Sequence, residues 1–147
     1  MAKPETEHFT KADAQALLEE VFAPWVQKLG LKTLGEESAR HVFLLPAGDD
    51  LVRKGGPGGG VVCGQALAAA ADTVSVLALA MINGRMRPNT TTDFSIRFLR
   101  PIAGGPVRIE VEPLSNGKRL AVTEVFFFAE GSEKPGAHAT CTFAWLD

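Results

Sequence analysis

Apolar and polar residues recur with a helical period near the start of the chain. In residues 10–29 apolar side chains return every three or four positions, as on one face of a helix, and Thr10 with Asp13 resembles a capping pair. The pattern predicts an amphipathic N-terminal helix over residues 10–29, preceded by a flexible N-terminus at residues 1–8. Pro24 should kink or break this helix, because proline cannot donate to the helical hydrogen-bond ladder.

A second helix is predicted in the middle of the chain. Residues 64–82 are almost entirely apolar, and Asn83 with Gly84 forms a helix-stop pair after them. The longest apolar stretch, residues 66–81, is interrupted by Asp72 and is shorter than the roughly 20 residues that a membrane span needs, so we expect a core helix and no membrane partner. Because no face of this helix is strongly polar, other elements must cover it nearly all round.

Strands are predicted on both sides of the central helix. Residues 35–38 and 41–45 precede it as two short strands, and strict alternation of apolar and polar residues follows it. The four later strands are expected at residues 90–99, 107–112, 120–128 and 137–145. In the first of these, alternation places Phe94 on one face and Thr91 on the other.

The connections between the later strands are short. Residues 115–118 contain an Asn-Gly pair, which is typical of a hairpin turn. Short connections favour antiparallel pairing, because a parallel pair needs a crossover of about a dozen residues or more. The pattern therefore predicts one α+β domain, residues 1–147, in which a curved antiparallel sheet wraps around the central helix.

Composition narrows the possible partners. The chain has 147 residues, 46% hydrophobic and 22% charged, which is ordinary for a globular domain. The formal charge is −2 and no segment is strongly basic, so nucleic acid is not expected as a partner. The start lacks an apolar signal segment, and Cys63 and Cys141 lack Cys-x-x-Cys spacing, which favours a reducing, cytoplasmic location.

The least regular segment, residues 49–60, contains the glycine-rich run 55–60. A run of this kind can cradle phosphate, yet no Gly-Lys-Ser/Thr follows it. A flexible loop before the central helix is the favoured interpretation, and nucleotide binding is not predicted.

Asp72 is the main candidate for chemistry. It is the only acidic or basic side chain between Lys54 and Arg85, and it lies in the middle of the apolar helix. A buried carboxylate is costly unless it is paired, hydrogen-bonded or open to a pocket. It could pair locally with Thr73 or Ser75, or lie on a face that reaches water, but isolated buried acids more often mark a functional site.

Gly64, at the predicted start of the same helix, is the second candidate. Free N–H groups and the positive end of the helix dipole attract a developing oxyanion there. Eight residues at 1.5 Å rise separate Gly64 from Asp72 by about 12 Å, whereas one attacked carbonyl spans only about 6 Å. If both residues are catalytic, Gly64 of one subunit must act with Asp72 of another, which predicts a two-fold dimer with two interface sites.

Two segments carry a family resemblance. Residues 58–73 contain a glycine-rich start and Ala-Asp-Thr at 71–73, and residues 91–101 end in Phe-Leu-Arg-Pro. They resemble the hotdog-fold thioesterases of the phenylacetate-degradation type, in which His-Gly-Gly is followed by Ala-Asp-Thr/Asn on the central helix and by such a strand. The resemblance covers residues 58–143 and implies the hotdog fold with an extra N-terminal helix.

The resemblance also implies residue roles. Asp72 would be the nucleophile or the general base that activates water, and the Gly64 N–H would bind the thioester oxygen. Thr91 would lie where the family often has a hydroxyl that holds the attacking water. Cys63 replaces the family histidine and Gln65 the second glycine. Cys63 could itself be a nucleophile, but no basic neighbour in the sequence would activate it, and a small packed residue is favoured.

The remaining candidates are substrate contacts. Arg97 and Arg100 could meet coenzyme A phosphates, and Ser75 could orient the Asp72 carboxylate or bond back to its own helix. The predicted substrate-binding set is Cys63, Gln65, Ser75, Arg97 and Arg100. The three histidines are scattered without metal-ligand spacing, so neither a metal nor a cofactor is expected.

The predicted activity is hydrolysis of an acyl-CoA thioester by a homodimer, with pairing of dimers into a tetramer as a further expectation. One alternative on the same fold is an acyl-thioester dehydratase or hydratase, which would need a histidine beside Asp72. The other alternative is a non-catalytic acyl-CoA-binding or regulatory protein, which the missing family histidine would permit.

Overall fold

The computed structural model describes residues 8–147, so the flexible start predicted for residues 1–8 lies, except for its last residue, outside the described chain. The helices are α1 (Lys11–Glu20), α2 (Pro24–Gln27) and α3 (Gly64–Asn83). The strands are β1 (Lys32–Glu37), β2 (Arg40–Leu45), β3 (Asn89–Phe98), β4 (Val107–Asn116), β5 (Leu120–Ala129) and β6 (Ala137–Trp145). A short 3-10 turn, Asp49–Leu51, precedes the glycine-rich loop.

The predicted N-terminal helix, residues 10–29, is present as two helices, and the expectation that Pro24 kinks or breaks it is confirmed. The Thr10 side chain accepts a hydrogen bond from the Asp13 N–H at 3.1 Å, and the Asp13 carboxylate accepts one from the Thr10 N–H at 2.8 Å, so the capping box starts α1 as predicted. However, α1 ends at Glu20 and α2 begins at Pro24. Proline suits the first position of a helix because its missing N–H would find no partner there.

The strands form one antiparallel sheet in the order β1-β2-β4-β5-β6-β3, which confirms the predicted α+β arrangement. α3 packs against the sheet, and the buried apolar side chains of β2, β4, β5 and β6 join those of α3 in a shared core. β1 starts at Lys32, three residues before the predicted strand, and the predicted hairpin between β4 and β5 is confirmed.

α3 is the core helix that the sequence predicted, extended by one residue to Asn83. Twelve of its 20 residues are buried, and Gly84 ends it in the left-handed conformation with a φ of 74°. The helix is long enough to span a membrane, and its mean hydropathy of 1.7 over 18 residues would also suffice. However, 61% of this 18-residue segment is buried inside the fold. Burial by the sheet therefore accounts for its apolar composition.

β3 contains an irregularity that changes which residues face α3. Strict alternation placed Thr91 on the face opposite Phe94, and this prediction is wrong. Thr91 pairs with Phe143 and Asp93 with the adjacent residue Thr142, so Thr92 is the extra residue of a β-bulge. A bulge shifts the alternation by one residue, and Thr91 consequently lies on the same face as Phe94, toward α3.

Candidate active site

The centre of α3 and the bulged part of β3 meet at Asp72. The Thr91 hydroxyl donates a hydrogen bond of 2.7 Å to the Asp72 Oδ1. Asp72 is half-buried, and in residues 8–147 no lysine, arginine or histidine forms an ion pair with it. One carboxylate oxygen is thus fixed by a neutral donor, while the negative charge is not neutralised.

A small cleft opens in front of this carboxylate. It has a volume of about 250 Å³ and is lined by Ala68, Ala69, Asp72, Thr91 and Phe94, which we call the acid cleft. The two alanines leave space one helical turn before the carboxylate, and the phenyl ring closes the β3 side. The cleft can hold a small apolar group with a carbonyl next to Asp72.

The start of α3 faces a different cavity. This cavity has a volume of about 500 Å³, and its wall includes Gly64, Leu67 and Phe98. We call it the amide cavity, because the first turn of α3 contributes N–H groups that have no partner within the helix. The preceding residue, Cys63, forms no side-chain hydrogen bond that would cap them.

Gly64 allows Phe98 to lie against the helix start. A Cβ atom at position 64 would lie only 2.9 Å from Phe98 Cζ and 3.3 Å from Cε1. Any larger side chain at position 64 therefore requires this ring to move. The sequence indicated Gly64 for its N–H group alone, and it did not reveal this packing, since the contact joins residues 34 positions apart.

The two clefts share no lining residue. Gly64 and Asp72 belong to one uninterrupted helix and are eight residues apart, which corresponds to about 12 Å along its axis. The structure therefore joins Asp72 to Thr91 and keeps Gly64 away from both. A single chain does not bring the predicted oxyanion donor and the predicted carboxylate to one carbonyl.

Cys63 and Gln65 are the neighbours of Gly64 in the sequence, and neither lines the acid cleft or the amide cavity. Cys63 is half-buried, and its N–H donates a 2.8 Å hydrogen bond to the Leu51 carbonyl. Gln65 is exposed on the first turn of α3. Cys63 and Cys141 are both free thiols.

The two predicted phosphate contacts lie in different places. Arg100 lines the amide cavity, and its Nη1 donates a 2.7 Å hydrogen bond to the Pro135 carbonyl. The Arg97 Nη1 instead lies 3.1 Å from the His138 Nδ1. The two residues are opposite each other where β3 pairs with β6. Arg97 is on the face of β3 that points away from α3, so the structure does not bring it to either cleft.

Ser75 is part of a buried polar cluster. Its hydroxyl donates a 2.8 Å hydrogen bond to the Ala71 carbonyl and lies 2.7 Å from the Thr123 hydroxyl. Cys141 joins them, and burial raises the pKa of its thiol to about 11 against weaker opposing hydrogen bonds from Ser75 and Thr123. Ser75 is fully buried and is not brought into the acid cleft. The sequence did not indicate this cluster, because its members come from three separate elements.

Comparison with known proteins identifies the family of this chain. Residues 49–144, about two thirds of the 147, match the family described as the acyl-CoA thioesterase N-terminal domain. The chain belongs to this family.

The names of individual proteins similar to this chain are consistent with the thioesterase family. A protein of Saccharolobus solfataricus named as an esterase is 32% identical over 111 residues, which are 76% of this chain and 75% of that protein. A solved structure from Silicibacter sp. TM1040, named as a thioesterase, has a TM-score of 0.80 and 27% identity and covers 97% of both chains. The phenylacetic acid degradation protein PaaI of Thermus thermophilus has a TM-score of 0.68 and 25% identity, over 84% of this chain and 100% of that one.

These findings confirm the predicted fold and class of enzyme. The antiparallel sheet around a long central helix is the hotdog fold of the thioesterase superfamily, and the chain is a thioester hydrolase. Its described part, residues 8–147, holds no group of three or more histidine, cysteine or acidic residues that could bind a metal ion.

Proposed function

We propose that this thioesterase hydrolyses acyl-CoA thioesters and that Asp72 is its catalytic carboxylate. The observation that supports this most directly is the acid cleft. Among the described residues its only charged group is the Asp72 carboxylate, which forms no ion pair with them and which Thr91 holds by one oxygen. A carboxylate beside an apolar space is suited to accept a proton from water or to attack a carbonyl.

The proposed reaction uses one backbone donor and one carboxylate. Asp72 takes a proton from water, whose oxygen bonds to the thioester carbon, or the carboxylate attacks this carbon itself and water then hydrolyses the mixed anhydride. In either route the carbonyl oxygen gains negative charge, and the Gly64 N–H stabilises it. The carbon–sulfur bond breaks, and the coenzyme A thiolate leaves and takes up a proton.

The separation within α3 supports a site built from two subunits. Because Gly64 and Asp72 are about 12 Å apart along one axis, the Gly64 of one subunit must act with the Asp72 of its partner. The position of β3 supports the same proposal. Within residues 8–147, β3 is an edge strand of the sheet and pairs with β6 alone. Phe98 at its end and Leu99 just after it are 57% and 52% exposed. Such an edge with apolar side chains suits pairing with a second copy.

The first experiment measures release of free thiol from a panel of acetyl-, medium-chain, long-chain and aryl-CoA substrates. Turnover of at least one of them by the wild-type protein, and its loss in Asp72→Asn, is the expected result. Binding of acyl-CoA without turnover would instead favour a regulatory protein. Hydration of an enoyl-CoA would favour a hydratase, but none of the described histidines contacts Asp72, which leaves that reaction without its usual second group.

The second experiment tests the shared site. Asp72→Asn and Gly64→Pro each damage one half of every site in a homodimer. In a mixed dimer of the two variants, one site combines the intact Gly64 of one subunit with the intact Asp72 of the other. When the two variants assemble at random, half of the dimers contain one subunit of each, and each mixed dimer has one intact site of two. Mixing should therefore restore about a quarter of the wild-type sites. If each site belonged to a single subunit, mixing would restore nothing.

A further inference from the structure

The glycine-rich run has no role in the reaction described above, yet it adopts a closed and specific shape. The Arg53 N–H donates to the Val61 carbonyl at 2.9 Å, and the Gly60 N–H donates to the Arg53 carbonyl at 3.0 Å. These two bonds close the loop at its base. Within it, the Gly59 N–H donates to the Gly56 carbonyl at 3.0 Å, so the loop folds back on itself.

Glycine is required at several points of this loop. Gly55, Gly56 and Gly60 have φ values of 59°, 72° and 83°, in the left-handed region where other residues are strained. A Cβ atom at Gly59 would lie 3.2 Å from the backbone of Gly55. The run therefore encodes a particular backbone path, and its glycines are not merely a sign of flexibility.

The side chain that this path supports is Arg53. A Cβ atom on Gly58 would lie 2.7 Å from the Arg53 Cζ and closer still to Nη1, so the guanidinium lies directly against the bare backbone of Gly58. Within residues 8–147 the Arg53 side chain forms no hydrogen bond or ion pair. Its planar fork of donors thus lies exposed against the loop, and its charge has no partner among the described residues.

Arg53 belongs to the wall of the amide cavity. The same wall contains Gly64 and the second cation, Arg100, and none of its residues is Asp or Glu. The charged side chains in the wall of this cavity are therefore both positive. An apolar cavity with two arginines and no acid suits a ligand that is apolar over most of its length and anionic at one point.

We infer that Arg53, supported by Gly58, binds an anionic group of the thioester substrate whose carbonyl is bound at Gly64. This inference rests on the proposed function, and it assigns the glycine-rich loop to substrate binding. The anion is a phosphate of the coenzyme A portion or a carboxylate at the far end of the acyl group. Both accept two parallel hydrogen bonds from a guanidinium.

The test compares three variants of the full-length protein. Arg53→Gln removes the charge and keeps most of the length, whereas Gly58→Ala keeps the charge and pushes the guanidinium off its support. Lys54→Gln is the matched control, because it removes a neighbouring exposed charge that does not line the cavity. Steady-state kinetics and the affinity for free coenzyme A, measured by calorimetry, are the two readouts.

Arg53→Gln should raise KM about tenfold, the range for loss of a charged hydrogen-bonded pair, and change kcat much less. Gly58→Ala should change KM in the same direction by about threefold, because the cation remains but is misplaced. Lys54→Gln should resemble the wild type.

Substrates without phosphate identify the anion. If Arg53 binds a coenzyme A phosphate, its effect disappears with acyl-N-acetylcysteamine thioesters, and Arg53→Gln also weakens binding of free coenzyme A. If Arg53 binds an acyl carboxylate, the effect persists with an N-acetylcysteamine thioester of a dicarboxylic acid and is absent with the neutral acyl group.

The outcomes separate this inference from the proposed function. Hydrolysis by the wild type, with Arg53→Gln equal to Lys54→Gln on every substrate, overturns the role of Arg53 and leaves the proposed function intact. Coenzyme A binding that depends on Arg53, without hydrolysis of any thioester, overturns the proposed function and supports the role of Arg53. A protein that neither binds coenzyme A nor hydrolyses its thioesters overturns both.

Discussion

The two clefts along α3 differ in almost every property that matters for catalysis. The acid cleft is small, is lined by alanine and phenylalanine, and contains one negative charge at Asp72. The amide cavity has about twice the volume, contains the start of α3, and carries the positive charges of Arg53 and Arg100. In the proposed mechanism the acid cleft supplies the carboxylate and the amide cavity supplies the oxyanion donor, and neither cleft supplies both.

This division shows how one helix can contribute to two sites. Its N-terminus stabilises negative charge, whereas its middle, one face of which is open at Ala68 and Ala69, can hold a side chain beside the reacting carbon. Because a helix is rigid, its own two contributions stay apart, and only a second helix running the opposite way can combine them. The following predictions test the two clefts separately, from the largest expected effect to the smallest.

Asp72→Asn should reduce turnover by about 10³-fold, within the range for loss of a catalytic base or nucleophile. The amide keeps the shape of the side chain and can still accept the hydrogen bond from Thr91. The thermal midpoint should therefore remain near the wild-type value while thiol release is lost. A variant that kept more than a tenth of the activity would remove Asp72 from the mechanism.

Gly64→Pro should reduce kcat by about 10²-fold relative to Gly64→Ala, as for loss of one oxyanion donor. Both variants place a Cβ atom near Phe98, but only proline removes the N–H. Proline is accepted at the first position of a helix, and the extended backbone of Cys63, with a ψ of 145°, is compatible with a following proline. Equal rates in the two variants would exclude the Gly64 amide as the donor.

Thr91→Val should lower turnover by about tenfold, because it removes the one hydrogen bond that orients Asp72 and leaves the shape of the side chain unchanged. Thr91→Ser keeps a hydroxyl at this position and is the control, which should retain most of the turnover. Full activity in Thr91→Val would show that the Asp72–Thr91 contact is dispensable.

Ser75→Ala should destabilise the fold by about 1–3 kcal/mol in denaturant unfolding, with little effect on turnover. The Ser75 hydroxyl already donates to Ala71, so Thr123 must donate to Ser75, and the substitution leaves this buried donor without its acceptor. Adding Thr123→Val removes the unpaired donor and should recover part of the loss. A double variant less stable than Ser75→Ala would contradict this account of the cluster.

Cys63→Ala should change turnover by less than about twofold, since the half-buried Cys63 lines neither the acid cleft nor the amide cavity. Cys63→Ser serves as the control of matched size. Loss of activity in the alanine variant that serine partly restored would give this position the polar role of the family histidine.

Local pattern alone was sufficient for most of the helices and strands. The 3.6-residue and two-residue periods predicted α3 and the four later strands to within a few residues, and the isolation of Asp72 in an apolar helix indicated it as the candidate carboxylate. The fixed rise of a helix also predicted that Gly64 and Asp72 are too far apart to act in one chain. These conclusions need only the geometry of a single element.

Tertiary structure decided the rest, because these features depend on which elements pair and in what register. The bulge at Thr92 turns Thr91 toward Asp72, and only the pairing of β3 with β6 reveals it. In the same way, the contact of Phe98 with Gly64 and the burial of Ser75 beside Thr123 arise where separate segments meet, and the support of Arg53 by Gly58 depends on the path of the folded loop. Periodicity along the chain predicts which face of a regular strand each side chain occupies. A β-bulge adds one residue to the strand and reverses the face of every residue beyond it. Whether the bulge forms depends on the pairing with the neighbouring strand.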